Sequence, residues 1–178
     1  AGKGFQLVER TGLLEGLETI PHVRRVRVHT RLPVVLPERI DDGFLAMWNS
    51  PHRLQRIVVI HANHAQELRA AADVEAALGA LRASGTVLLN QSVLLRGVND
   101  STAALEELSI ALLESGVLPY YLHVLDPVRG AAHFDVPEDV ARRLHAELTA
   151  RLPGYLVPKL VREDSGAASK TMLPPASR

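Results

Sequence analysis

The sequence predicts an α/β protein with a parallel sheet, and three observations carry that prediction. Apolar runs of strand character begin near positions 23, 55, 86 and 118, a spacing of about thirty residues. Strand–helix–strand at that period is the βαβ unit, with right-handed crossovers. One of the runs ends on the uninterrupted β-branched string IVVI at 57–60, as a strand covered on both faces requires. Between the runs lie Ala- and Leu-rich segments with i, i+3, i+4 spacing, stopped by Gly85 and Gly116. Four such units make either part of a (β/α) barrel or an open sheet. Four alone leave two edges that further strands or a partner must cover.

The elements follow in order. Residues 12–20 are apolar-periodic and read as a helix ending before Pro21. VRRVRV at 23–28 alternates apolar and basic residues and reads as a strand. Glu38 to Asn49 fits a helix, with Pro37 near its first turn. Leu54 to Ile60 is the next strand, Gln66 to Ala83 a long helix, and Thr86 to Leu89 the third strand. A helix from Ser101 or Thr102 to about Ser115 precedes a fourth strand, VLPYYLHV at 117–124. Pro137 to Leu152 is a helix with proline at its start, and Tyr155 to Val161 has the character of an edge strand.

Composition narrows the function classes. A chain of 178 residues supports a real core, here of Leu, Val, Ile and Ala, since aromatics make up only 4%. Twenty basic residues balance twenty acidic ones, which argues against a nucleic-acid footprint or an anionic membrane surface as partner. No apolar run approaches the roughly 20 residues of a membrane span. The N-terminal AGKGFQLVER has no apolar leader core, so a cytoplasmic location is expected. The chain has no cysteine. It therefore forms no disulfide, offers no thiolate nucleophile, and cannot ligate a zinc ion or an iron–sulfur cluster through sulfur of its own.

The stretch LLNQSVLLRGVND at 88–100 organises the chain. Its apolar run stops on Asn90, Gln91 and Ser92, where a strand should be leaving the core and where ligands sit in parallel α/β folds. Asn99 and Asp100 read as N-caps of the following helix. Gln91 is a poor turn former and a poor cap, and reads instead as a ligand-facing side chain. All four strands end on polar residues: His29–Thr30–Arg31, His61 with Asn63 and His64, Asn90–Gln91–Ser92, and Asp126. In a parallel barrel these ends converge on one rim and form a polar pocket. Near the C-terminus the loop REDSGAASKT places Lys170 among small residues, with Glu163 and Asp164 before it. On composition alone Lys170 is an ordinary solvated lysine. A desolvated lysine amine would instead form a Schiff base with a carbonyl cofactor such as pyridoxal phosphate.

These strand ends resemble the lysine 2,3-aminomutase family, and within it the branch acting in β-lysylation of translation elongation factor P. The resemblance rests on VRVHTRLPVVLPERI (26–40), HANHAQEL (61–68), LLNQSVLLRGVND (88–100), PYYLHVLDPVRGAAHF (119–134), GYLVPKLVRE (154–163) and SKT (169–171). It implies a radical SAM enzyme that uses S-adenosylmethionine, a [4Fe–4S] cluster and pyridoxal phosphate to move an amino group between adjacent carbons of lysine. Lys170 matches the lysine that carries pyridoxal phosphate. His61 and Gln91 match residues that contact S-adenosylmethionine. Asp126 matches a carboxylate that holds the side-chain ammonium of the substrate, and Glu163 a second acidic partner, where a one-residue register error would exchange it with Asp164. The implied fold is a partial (β/α) barrel of the radical SAM type, the last four of six βα units, over residues 1–152. A C-terminal pyridoxal phosphate segment follows over 153–178.

The departures are large. The family's CxxxCxxC loop, its glycine-rich motif after the second strand and its basic segment near the cysteines have no counterpart here. The chain is therefore expected to be the C-terminal part of such an enzyme and, alone, to be inactive. It would depend on an N-terminal half or on a homo-oligomer partner. Three rivals remain: a non-catalytic remnant that binds pyridoxal phosphate, a metal-dependent hydrolase using His61, His64 and Asp126, and a non-functional remnant that does not fold because two missing barrel strands leave apolar edges exposed.

Overall fold

The computed structural model describes residues 12–50, 53–69, 72–164 and 166–174. The N-terminal AGKGFQLVER, read for a leader, lies outside them. The protein is a mixed α/β structure around one six-stranded sheet in the order β1-β2-β3-β4-β5-β6. The strands are β1 (Arg25–Thr30), β2 (Gln55–Ile60), β3 (Val87–Val93), β4 (Leu118–His123), β5 (Lys159–Arg162) and β6 (Thr171–Met172). The first five are parallel, and β6 returns antiparallel to β5. The helices are α1 (12–19), α2 (Leu32–Val35), α3 (Asp42–Asn49), α4 (Gln66–Arg69), α5 (Ala72–Ala83), α6 (Thr102–Glu114) and α7 (Glu138–Arg151).

Residues alternate between the two faces of each strand. Val58, Ile60 and Leu88 on one face pack with Leu78, Leu81, Leu108 and Leu112 of α5 and α6. Leu122 and Leu160 on the same face pack with Leu144 and Leu148 of α7. Gly85 and Gly116 adopt φ values of 78° and 72° after α5 and α6, the left-handed stop that glycine accepts without steric cost. The opposite face is less covered. Val87 on it is 50% exposed, and Leu89, Gln91 and Val93 are half-buried.

Several expected boundaries move, each for a local reason. The helix expected from Glu38 begins at Asp42, because the Asp41 side chain accepts a hydrogen bond from Phe44 N at 2.7 Å and caps it there. Pro37 starts a separate 3-10 turn. The helix expected over 66–83 is described as α4 and α5, with 70–71 outside the described residues. β3 does not stop at Leu89 but runs through Asn90, Gln91 and Ser92 to Val93. The expected edge strand at 155–161 is instead a 3-10 turn and then β5, an interior strand between β4 and β6. β1 is the exposed strand, with Val28 38% exposed.

One irregularity decides what β4 presents. Asn90 aligns with Pro119, but Gln91 aligns with Tyr121, so Tyr120 is an extra residue. Pro119 has no N–H to give the ladder, and the register slips beside it. A one-residue slip exchanges faces. Here it sends Leu122 into the core and turns Tyr121 and His123 to the same side as Gln91 and Val93.

Candidate functional site

The polar run 90–92 splits between the two faces. Asn90 and Ser92 are buried on the helix side. The Asn90 amide brackets Ala62, accepting from its N–H at 2.9 Å and donating to its carbonyl at 3.1 Å. This fixes the chain immediately after β2, where His61 stands. Asn63 and Asn99 continue the bracket. The Asn63 side chain accepts from Val93 N at 2.9 Å. Asn99 is fully buried, accepts from Leu95 N at 2.7 Å, and donates to Asn63 O at 2.8 Å and Val93 O at 2.9 Å. Asn99 is thus a tie between two strand ends rather than the expected N-cap. Ser101 caps α6, accepting from Ala104 N at 3.2 Å, and Asp100 does not.

The less covered face gathers the remaining polar groups at the carboxyl ends of the parallel strands. His29 near the end of β1 and His61 after β2 meet edge to face, with ring centroids 6.0 Å apart. Gln91 lies in β3 and His123 ends β4. Tyr121 packs against His123 with centroids 5.8 Å apart. Glu163 follows β5 and Lys170 precedes β6, so the turn between those strands brings them side by side. Lys170 Nζ pairs with the Glu163 carboxylate and lies 5.5 Å from the centre of the Tyr121 ring. His123 Nδ1 is 3.9 Å from Glu163 Oε1.

Burial is the leading cause of a lowered pKa at His29, His61 and His123. Arg27 and Lys170 push His29 further down, while the Gln91 amide and Glu163 oppose. At His61 the neighbouring His29 and Arg31 add to the lowering. At His123 Lys170 adds to it, and Glu163 and Asp126 oppose. All three imidazoles are therefore held toward the neutral form. Glu163 moves down chiefly through its hydrogen bond to Lys170. His61 Nε2, Gln91 Oε1 and His123 Nε2 are buried without a hydrogen-bond partner among the described residues. Such groups are costly to leave unpaired, and three of them gather on this face, while Asn49 Oδ1 and His145 Nδ1 lie elsewhere.

The residues singled out in the sequence fall out unequally. His61, Gln91, Glu163 and Lys170 share this face. Asp126 lies just beyond β4, exposed, in a hollow of about 450 Å³ lined with Arg129 and Asp135, and acts on His123 only through space. Glu163 and Asp164 are distinguished by the strand alternation. Glu163 meets Lys170, whereas Asp164 is bound by Arg162 and Thr171. His64 Nδ1 accepts from Gln66 N at 3.2 Å, inside its own turn. Among the described residues no three His, Asp or Glu side chains come together as a metal site requires, so His61, His64 and Asp126 do not form the hydrolase centre considered above. Sequence reasoning missed Tyr121 and His123. A proline inside an apolar strand run was the available signal for the slip that exposes them.

An L-lysine 2,3-aminomutase of Escherichia coli K12 is 51% identical over 161 residues, which is 90% of this chain and 46% of that protein. Proteins of the same name from Haemophilus influenzae and Clostridium subterminale are 46% and 36% identical, each over 92% of this chain, and over 48% and 38% of their own lengths. The chain is a relative of the lysine 2,3-aminomutases. It spans about half or less of the length of these curated relatives. Among solved structures, a radical SAM methyltransferase from Sphaerobacter thermophilus matches with a TM-score of 0.51 and 25% identity, covering 79% of this chain and 41% of that one. No protein-family model matches. Among the described residues no helix is long and apolar enough to cross a membrane.

Proposed function

We propose that this chain forms the lysine-facing part of a cytoplasmic radical enzyme of the lysine 2,3-aminomutase type. It would convert L-lysine to β-lysine for modification of elongation factor P, with its strands forming part of a (β/α) barrel. The observation that carries this reading is the Lys170–Glu163 pair on the same face as the unpartnered His61, Gln91 and His123 groups, in a relative of the aminomutases.

The implied cofactors fit unequally. Lys170 offers a reachable amine, with 26% of its side chain exposed, beside an aromatic ring, as pyridoxal phosphate requires. The unpartnered Gln91 Oε1 and His61 Nε2 suit the polar edges of S-adenosylmethionine. A [4Fe–4S] cluster does not fit, because the chain carries no cysteine. Its thiolates would have to come from residues outside this sequence, and the chain by itself is expected to be inactive. The exposed β1 edge is where such a segment or partner chain would add.

When bound, pyridoxal phosphate supplies a carbonyl for amines and a ring that spreads an unpaired electron, and S-adenosylmethionine supplies the source of the radical. The chain's residues position these groups. Lys170 anchors the first cofactor, and Tyr121 supports its approach. His61 and Gln91 hold the second from strands fixed by the Asn90 bracket. Glu163 and Asp126 oppose the ammonium of the lysine side chain, whose desolvation needs opposite charge. The neutral imidazoles of His29, His61 and His123 add no positive charge to repel it.

Borohydride reduction after incubation with pyridoxal phosphate, followed by peptide mass mapping, tests the reading. Modification concentrated at Lys170 supports it, and modification no greater there than at exposed Lys159 sinks it. A second reading, a remnant that binds pyridoxal phosphate without turnover, is favoured by the absence of cysteine. Production of β-lysine on adding a cysteine-bearing partner segment would decide against it.

A further inference from the structure

The two groups central to the proposed site, Glu163 and Lys170, stand at opposite ends of the excursion between β5 and β6. Each strand is short: β5 has four residues and β6 two. Two register pairs, Val161 with Met172 and Arg162 with Thr171, hold them together, with one further backbone bond from Leu173 N to Leu160 O at 3.0 Å. A two-pair ladder at a sheet edge is weak by itself, yet the paired side chains need a fixed separation.

The other side of the same excursion supplies what the ladder lacks. Asp164 Oδ2 accepts from Thr171 Oγ1 at 2.6 Å, joining the two ends one residue beyond Glu163 and one residue beyond Lys170. Asp164 Oδ1 accepts from Arg162 Nε at 2.7 Å, and its backbone carbonyl from Ala167 N at 3.0 Å. Arg162 also pairs with Glu138 in the first turn of α7. Glu138 in turn accepts from Arg142 Nη2 at 2.6 Å, and Arg142 Nη1 donates to Pro174 O at 2.7 Å, after β6. Asp164 is therefore the knot of a network that ties both ends of the excursion to a helix. Its carboxyl is held below the usual carboxylate range by Arg162 and by Thr171. A single surface ion pair stabilises little. A closed network that fixes the separation of two reacting groups acts on rate instead, through positioning.

We propose that Asp164 is a positioning residue that, by binding Thr171 and Arg162, holds Lys170 beside Glu163 in the geometry in which Lys170 reacts with pyridoxal phosphate. The inference rests on the proposed function, since it assigns Asp164 a part in that chemistry. In the step concerned, the Lys170 ammonium first passes a proton to the paired Glu163 carboxylate or to solvent, and the free amine then adds to the carbonyl carbon of the cofactor. One water molecule leaves and a carbon–nitrogen double bond remains, with no oxidant or reductant required.

The test follows covalent attachment of pyridoxal phosphate to the intact chain by absorbance, with borohydride trapping to assign the modified lysine. Asp164→Ala and Thr171→Val are each expected to slow attachment at Lys170 about tenfold and to leave Lys159 unchanged. Thr171→Ser, which keeps the hydroxyl, is expected to react as the wild type does. The double variant should be no slower than either single variant, as members of one unit behave. Circular dichroism and thermal melts establish that each variant is folded. Wild-type rates in Asp164→Ala, a Thr171→Ser variant as slow as Thr171→Val, or additive losses would overturn the proposal while leaving the proposed function standing. Attachment in the wild type that ignores Lys170 would overturn both.

Discussion

The two faces of this one sheet treat buried polar groups in opposite ways. On the helix-covered face the polar side chains that tie strand ends are bonded, although Asn49 Oδ1 and His145 Nδ1 are buried without a partner among the described residues. Asn90 brackets both backbone groups of Ala62, and Asn99 makes three bonds between strand ends. Trp48 Nε1 donates to Thr86 Oγ1 at 2.9 Å. On the other face His61, Gln91 and His123 each keep a buried atom without a hydrogen-bond partner among the described residues. Polar groups on the first face serve the fold. Those on the second are the groups that the proposed function assigns to cofactor and substrate.

This contrast can be broken in several places. The largest effect is expected at Lys170. Lys170→Ala should abolish specific attachment of pyridoxal phosphate while leaving the melting temperature nearly unchanged, as absorbance and a thermal melt will show. A strong loss of stability would make Lys170 part of the fold. Next comes Asn99→Ala, which leaves Leu95 N and the Val93 and Asn63 carbonyls without their partner and should cost about 3 kcal/mol in urea unfolding. A loss below about 1 kcal/mol would mean that water replaces the tie.

A smaller effect is expected at the charged rim. Asp126→Ala should weaken lysine binding to the cofactor-loaded chain about tenfold, about 1.4 kcal/mol, without affecting attachment at Lys170. A fully buried pair would cost several kcal/mol, but Asp126 is exposed, which reduces the expected loss. Calorimetric titration with L-lysine checks this, and unchanged affinity removes Asp126 from the site.

The smallest effect is on pH dependence. His29, His61 and His123 have lowered pKa values in the fold against an ordinary 6.5. The unfolded chain therefore binds more protons as pH drops below that value. These groups leave stability unchanged above about pH 7 and reduce it as pH falls through the window between 6.5 and their folded values. Glu163, lowered from 4.5 by Lys170, adds a loss only in the more acidic range below that value. A melting temperature that rises between pH 7 and pH 5.5 would contradict this sign.

Most of the helix-covered face was legible in the sequence, because burial there is written in period. IVVI could be little else than a covered strand, and Gly85 and Gly116 stop their helices where a left-handed residue is needed. The end of β3 was misread because Asn90 and Ser92 look like a turn until strand alternation assigns them to one side and Gln91 to the other. The amide brackets that keep such residues inside a strand are long-range, from 90 to 62 and from 99 to 63, and no local pattern announces them. His61, Gln91, Glu163 and Lys170 were found as strand-end polar residues or through resemblance. Tyr121 and His123 were not, since their facing depends on a slip in pairing with a neighbouring strand. The distinct places of Glu163 and Asp164 likewise follow from the register of β5 with β6 rather than from their order in the chain.

The most direct measurement compares two neighbouring residues on opposite faces. The unfolding free energies of Asn90→Leu and Gln91→Met would be determined in urea beside the wild type. Asn90→Leu strands two buried backbone groups of Ala62 and should lose about 3 kcal/mol. Gln91→Met removes an amide that bears on the His29 ring but holds no backbone group among the described residues, and should stay within about 1 kcal/mol of the wild type. Equal and large losses in both variants would show that Gln91 also serves the fold, and would contradict the view that this face is kept for a ligand.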